Sequence, residues 1–218
     1  MTPLILRDLK LAIRSGGAWL LGIFFFALFL TFCVIAVGAD KTRLGTLGPA
    51  LIWLAVMFST LLSFQDIFSR DMADGTLEHV LLSPASGLSV VTAKAVGFAI
   101  LSVGPILLAL PMAGIMLGLS TITISGLALS VIFATPALAA YGTLASALMS
   151  RRGSGGFLII LISAPFLIPV LIFGLSAVDS FARTGIMAME FRALAGLSLI
   201  GMAIGLPAAS AAITANLE

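Results

Sequence analysis

Hydrophobic residues occur along this chain in long runs that are separated by short polar segments. Six runs are long enough to cross a bilayer as helices, since each span needs about 20 residues. We place these six spans at 18–39, 47–64, 95–119, 122–149, 157–178 and 193–214. The pattern therefore predicts an all-α polytopic membrane protein in which residues 1–218 form a single transmembrane domain.

Prolines and small residues modify this picture of straight spans. Prolines inside the third, fourth and fifth runs predict kinks, because each proline removes a helical hydrogen bond; they are Pro105, Pro111, Pro136, Pro165 and Pro169. The fourth and sixth runs are rich in Ala and Gly, which lets helices approach closely in lipid. Polar side chains within the spans, such as Thr135, Tyr141 and Ser163, are expected to bond to backbone or neighbouring helices.

Two segments beside the spans have amphipathic character. Leu6, Leu9 and Ile13 alternate at helical spacing with basic residues, so residues 1–17 are expected to form an N-terminal helix in the headgroup plane. The same pattern would also serve as an ordinary positive flank that sets topology. Between Asp179 and Arg192, apolar residues suggest a short interfacial helix in an external loop.

The segment Gln65–Pro84 is polar, patterned and longer than a simple connection requires. Asp66, Arg70 and Asp74 recur every four residues and share one helical face. The apolar residues Phe64, Phe68 and Met72 form the opposite row. Gly75 is placed to stop this helix, and Thr76 to cap a second one that ends before Pro84. A helix–break–helix with one charged face predicts docking to a soluble partner, the alternative being a solvated loop.

Composition and charge support the membrane assignment and suggest an orientation. Hydrophobic residues make up 61% of the chain and charged residues only 9%, whereas soluble domains carry about 25% charge. The scattered basic residues and a net charge of +2 do not form a nucleic-acid surface. With the N-terminus inside, the cytoplasmic loops hold seven of the 11 Lys and Arg residues. The positive-inside rule therefore favours cytoplasmic termini.

The sequence lacks the residues that catalysis or nucleotide binding would need. It has no Gly-x-x-x-x-Gly-Lys-Ser/Thr phosphate loop, and Arg151–Gly156 lacks the lysine and the spacing of one. His79 is the one histidine and Cys33 the one cysteine, so we expect neither a metal site nor a catalytic triad. Charges lie at the ends of the spans, which argues against a proton-coupled carrier. ATP would have to be hydrolysed by another chain.

The docking segment resembles that of ABC-2 type exporter membrane subunits. The matching residues are Asp71, the run Asp74-Gly75-Thr76-Leu77-Glu78, and Leu81-Leu82-Ser83-Pro84. From Gly48 to Pro84 the chain is similar to the B subunit of the haem exporter of cytochrome c maturation, the CcmB family. The amphipathic start, Thr135-Pro136 and the proline-rich fifth span extend the likeness along the chain.

The resemblance implies a non-catalytic permease subunit in a bacterial inner membrane. It implies that residues 65–90, the coupling segment, contact a separate ATPase through Asp66, Phe68, Arg70, Asp71, Asp74, Gly75 and Glu78. Implied partners are the ATP-binding A subunit, the haem-handling C subunit, the small D subunit and a second membrane half, most simply in a homodimer. ATP would bind the partner, and the complex would handle haem. The alternatives are an ABC-2 permease for another amphiphile, such as a drug or lipid-linked glycan, and a platform that transmits ATPase movement without transport.

Overall fold

The fold is a bundle of membrane-spanning helices. The computed structural model describes residues 18–38, 40–73, 75, 87–149 and 156–215, and within these ranges every regular element is helical. Six of the helical stretches are long and apolar enough to cross a membrane. The prediction of an all-α polytopic membrane protein is therefore confirmed.

The described helices follow one another along the chain. In chain order they are α1 Ala18–Val37, α2 Lys41–Phe64, α3 Asp66–Ala73, α4 Gly87–Phe98, α5 Gly104–Met116, α6 Thr121–Met149, α7 Gly156–Thr184, α8 Met189–Ile200 and α9 Leu206–Ala215. Two π-helical segments, Ala99–Val103 and Gly201–Gly205, join α4 to α5 and α8 to α9. The third span is thus α4 with α5, and the sixth is α8 with α9.

Helix α6 lies at the centre of the bundle. It packs against α2, α4, α5, α7, α8 and α9, and its buried face consists largely of Ala, Gly, Ser and Thr. In lipid, small side chains allow backbones to come close, so that dispersion contacts accumulate where no hydrophobic driving force exists. The small residues of the fourth run therefore mark the helix on which the others assemble.

The side chain of Trp53 packs α2 and α7 against the central helix α6. Trp53 is fully buried, and its Nε1–H donates to Ser130 Oγ at 3.1 Å. A Cβ on Gly174 would lie 2.4 Å from Cζ2 of Trp53, so only glycine leaves room for the indole. The indole therefore joins three helices, α2, α6 and α7, through one hydrogen bond and one close contact.

Each π-helical segment lies just before a proline. Pro105 is at the start of α5 and Pro207 at the start of α9. Proline has no N–H to continue the α-helical ladder. Ahead of Pro105, Gly104 N–H donates to the carbonyl of Ala99, five residues earlier, which is the widened π pattern. The third and sixth spans therefore each contain a π-helical segment that was not predicted, and the kinks expected at the prolines stay predictions.

Several helix ends differ from the expected bounds because polar residues cap them or extend them. Helix α2 begins at Lys41 rather than 47, since Asp40 Oδ1 accepts from the N–H groups of Thr42 at 2.9 Å and Arg43 at 3.3 Å. The third span begins at Gly87 rather than 95 and includes Lys94. A charged residue can lie inside a span near its end when it has a partner.

The expected interfacial helix between Asp179 and Arg192 is wrong. Helix α7 continues through Thr184 and α8 begins at Met189, so the connection is only residues 185–188. The ion pair between Arg183 and Asp179, at 2.6 Å and four residues apart, lies on the exposed last turn of α7. Such pairs support an additional turn of helix at the membrane surface.

Polar side chains within the spans bond to backbone carbonyls, as expected. Thr135 Oγ1 donates to Val131 O and Ser163 Oγ to Ile159 O, each at 2.7 Å. Ser198 Oγ donates across the bundle to Phe133 O at 2.6 Å. These bonds satisfy hydroxyl groups that lipid would leave without partners.

Candidate functional site: the coupling helix and its support

The end of α2 is held firmly where the coupling segment begins. Phe64 is fully buried, and its ring lies 5.3 Å from that of Phe98, centroid to centroid. A Cβ on Gly142 of α6 would lie 2.2 Å from Cε1 of Phe64. The aromatic ring therefore fits into a notch on the central helix, and this contact fixes the point at which the chain leaves the second span.

Helix α3, which we call the coupling helix, is amphipathic. Ile67 and Phe68 are buried, with Phe68 at 0% exposure, whereas Asp66 is only half-buried. The helix packs against α6 and follows directly from α2. Phe64 and Phe68 of the predicted apolar row are therefore buried in the bundle, while the side chain of Met72 lies outside the described residues.

Asp71 and Lys94 form an ion pair between α3 and α4. The Lys94 ammonium contacts Oδ2 of Asp71, and the two side chains are only 15% and 12% exposed. A lysine this deeply placed in an apolar run requires an anionic neighbour, because unpaired charge is costly away from water. The pair joins the coupling helix to the first half of the third span.

Gly75 ends the coupling helix in the expected way. Helix α3 stops at Ala73, and Gly75 has a φ of +66°. This left-handed conformation is available to glycine without steric strain and is a common helix terminator. A Cβ at Gly75 would meet no heavy atom of the described residues within 4 Å, so among these residues the requirement for glycine concerns the backbone.

The predicted contact residues separate into three groups. Phe68 and Asp71 face neighbouring helices, and Asp66 lies at the partly exposed start of α3. Gly75 shapes the chain. The side chain of Arg70, together with Asp74, Glu78, the second helix expected from Thr76, and His79, lies outside the described residues, as do residues 1–17 and the Arg151–Gly155 turn.

Lys94 is the residue that sequence reasoning missed. In the sequence it counts as one of the seven cytoplasmic Lys and Arg residues, in front of the third span expected at 95–119. It is preceded by Val90 and Val91 and followed by Ala95 and Val96, so it is a lone cation in an apolar run. A lone lysine in an apolar run predicts a buried counter-ion. The acidic coupling segment, which directly precedes the third span, contains the candidates for this counter-ion.

Comparisons with known proteins agree over the whole length of the chain. The family model described as "CcmB protein" matches residues 1–216. The chain belongs to the CcmB protein family. It is 34% identical over 220 residues to heme exporter protein B of Bradyrhizobium diazoefficiens, covering 100% of this chain and 99% of that protein. It is 35% identical over 218 residues to heme exporter protein B of Rhodobacter capsulatus, covering 100% of both.

A third relative is also similar over its full length. Heme exporter protein B of Paracoccus denitrificans is 32% identical over 218 residues, again with 100% of each chain covered. The resemblance inferred from the coupling segment is therefore confirmed. Together with the six apolar helices, these matches make the chain a multi-pass membrane protein of the CcmB family.

Proposed function

We propose that this CcmB-family chain is the membrane subunit of an ABC-type complex for c-type cytochrome biogenesis. In this role it couples ATP hydrolysis by a separate subunit either to haem export or to release of a haem-loaded chaperone. The names of its relatives, heme exporter protein B, favour haem over another amphiphile. We place the chain in a bacterial inner membrane with both termini in the cytoplasm.

The observation that carries this proposal is the amphipathic coupling helix. Its apolar face is buried against the spans through Ile67 and Phe68, while its sequence presents Asp66, Arg70 and Asp74 on another face. A charged helix face outside the lipid either contacts water or binds a soluble partner. Since the chain has no phosphate loop, an ATPase is the partner that this face fits.

The proposed complex contains more than the ATPase. We propose that the ATP-binding A subunit binds the coupling segment, and that the haem-handling C subunit and the small D subunit complete the assembly. Two membrane halves are needed in ABC transporters, and a homodimer provides them most simply. ATP belongs to the partner in this proposal, and this chain has a non-catalytic role.

Reversing one charge in the coupling segment tests the ATPase contact. We expect Glu78→Lys to lower co-purification of the ATPase subunit several-fold, because a like charge opposes docking at a complementary surface. The matched control is Asp179→Lys, which removes an exposed ion pair at the opposite end of the bundle. Full ATPase binding and full cytochrome c maturation in Glu78→Lys would contradict the proposed contact.

A second measurement separates haem export from chaperone release. In a complex with a hydrolysis-deficient ATPase, one would measure how much haem-loaded chaperone stays bound. Accumulation of that species supports release as the ATP-dependent step. If the chaperone is loaded with haem normally when ATP is not hydrolysed, this subunit does not export the haem that the chaperone receives.

A further inference from the structure

The ion pair between Asp71 and Lys94 has features that stability alone does not explain. It lies on the same faces as buried apolar side chains, since Ile67 and Phe68 precede Asp71 by one turn and Val90 and Val91 precede Lys94 by one turn. Apolar residues of similar volume can fill such a place at equal or better stability. An ion pair can instead define the register between two helices.

We infer that Lys94 is a positioning residue that links the coupling helix to the third span and transmits its movement. This inference rests on the proposed function, because it requires an ATPase that moves α3. The pair joins two elements that the undescribed stretch 76–86 separates in sequence. A direct side-chain link bypasses that stretch, so a displacement of α3 reaches α4 without passing along the backbone.

The surroundings of α4 show where such a displacement would go next. Helix α4 packs against α9, so the half-spans on the coupling side of the third and sixth spans lie together. Each is bounded by a π-helical segment, Ala99–Val103 for α4 and Gly201–Gly205 for α9. Helices bend at π segments and at prolines. The pair therefore connects the coupling helix to two half-spans that each have a bending point.

Three variants in the assembled complex test this link. In Lys94→Met, we expect the ATPase still to co-purify, because the docking face of α3 is unchanged, while cytochrome c maturation falls about tenfold, a typical size for a coupling between sites. The double variant Asp71→Leu/Lys94→Met removes both charges and keeps an apolar contact. Because Asp71 is nearly buried against Lys94 of α4 and lies off the charged face that we assign to the ATPase, we expect the double variant to fold, to bind the ATPase and to remain equally deficient in maturation. Lys94→Arg keeps the cation and should restore most of the output.

The outcomes distinguish the link from plain packing. If Lys94→Met does not fold because it leaves the Asp71 charge buried, the double variant carries the test. Wild-type maturation in the double variant would overturn the inference, since packing would then suffice. Loss of ATPase binding in a folded Lys94→Met or double variant would also overturn it, because the pair would then serve docking. Failure of the wild-type chain to bind an ATPase would instead refute the proposed function, and the link with it.

Discussion

At the residue scale, the bundle depends on glycines that receive aromatic rings. Gly142 and Gly174 each lie against a fully buried aromatic side chain, Phe64 and Trp53, at distances that exclude a Cβ. Gly126, on the same helix as Gly142, has a less severe contact, because its Cβ would lie 3.1 Å from Cδ1 of Phe181. Whether a glycine can be replaced thus depends on which side chain of a neighbouring helix packs against it, and this determines how a substitution affects stability.

We expect Gly142→Ala to destabilise the protein by about 1–3 kcal/mol, the usual cost of overpacking a well-packed site. The added methyl would meet the Phe64 ring, which Phe98 blocks on another side, so the ring has little freedom to move. The matched control is Gly196→Ala in α8, where a Cβ meets nothing within 4 Å. Thermal unfolding in detergent should show a lower transition temperature for Gly142→Ala only. Equal temperatures for the two variants would mean that the ring yields.

At the element scale, the coupling segment shows which structural features could be predicted from the sequence and which could not. The spacing of Phe64, Phe68 and Asp66 predicted a short amphipathic helix, and Gly75 predicted its end; both follow from local rules. The partnership of Asp71 with Lys94 could not be predicted in the same way, because it depends on how α3 packs relative to α4. For the same reason, the six spans were evident from apolar length, while their ends depended on individual caps such as Asp40.

The termination of the coupling helix gives a prediction at this scale. We expect Gly75→Val to lower ATP-dependent cytochrome c maturation, because a β-branched residue is strained at a φ of +66°. Gly75→Asn is the matched control, since asparagine adopts this conformation more readily and no atom of the described residues would clash with either side chain at its Cβ. Maturation assays and ATPase co-purification would be compared for both. Equal loss in the two variants would indicate that something other than backbone conformation makes glycine necessary.

At the scale of the whole molecule, the third span consists of two helices with a π segment between them. If the coupling helix moves α4, the angle between α4 and α5 should change during the ATPase cycle. The single cysteine, Cys33, makes this measurable, because its replacement by alanine leaves a cysteine-free chain for labelling. Leu88 on α4 and Leu108 on α5 are both exposed, so spin labels there would disturb little packing.

We expect the distance distribution between labels at Leu88→Cys and Leu108→Cys to shift when the ATPase is trapped with ATP. The separation between the two labels is suitable for pulsed electron–electron double resonance, since 20 residues of helix extend about 30 Å. Labels at Leu21→Cys and Ile35→Cys, both exposed on α1, provide the control, because that helix contains neither a proline nor a π segment. Their distance should stay constant. In a Lys94→Met background the shift between 88 and 108 should disappear, since the coupling helix would no longer be tied to α4. A shift that persists there would show that movement reaches the third span by another route.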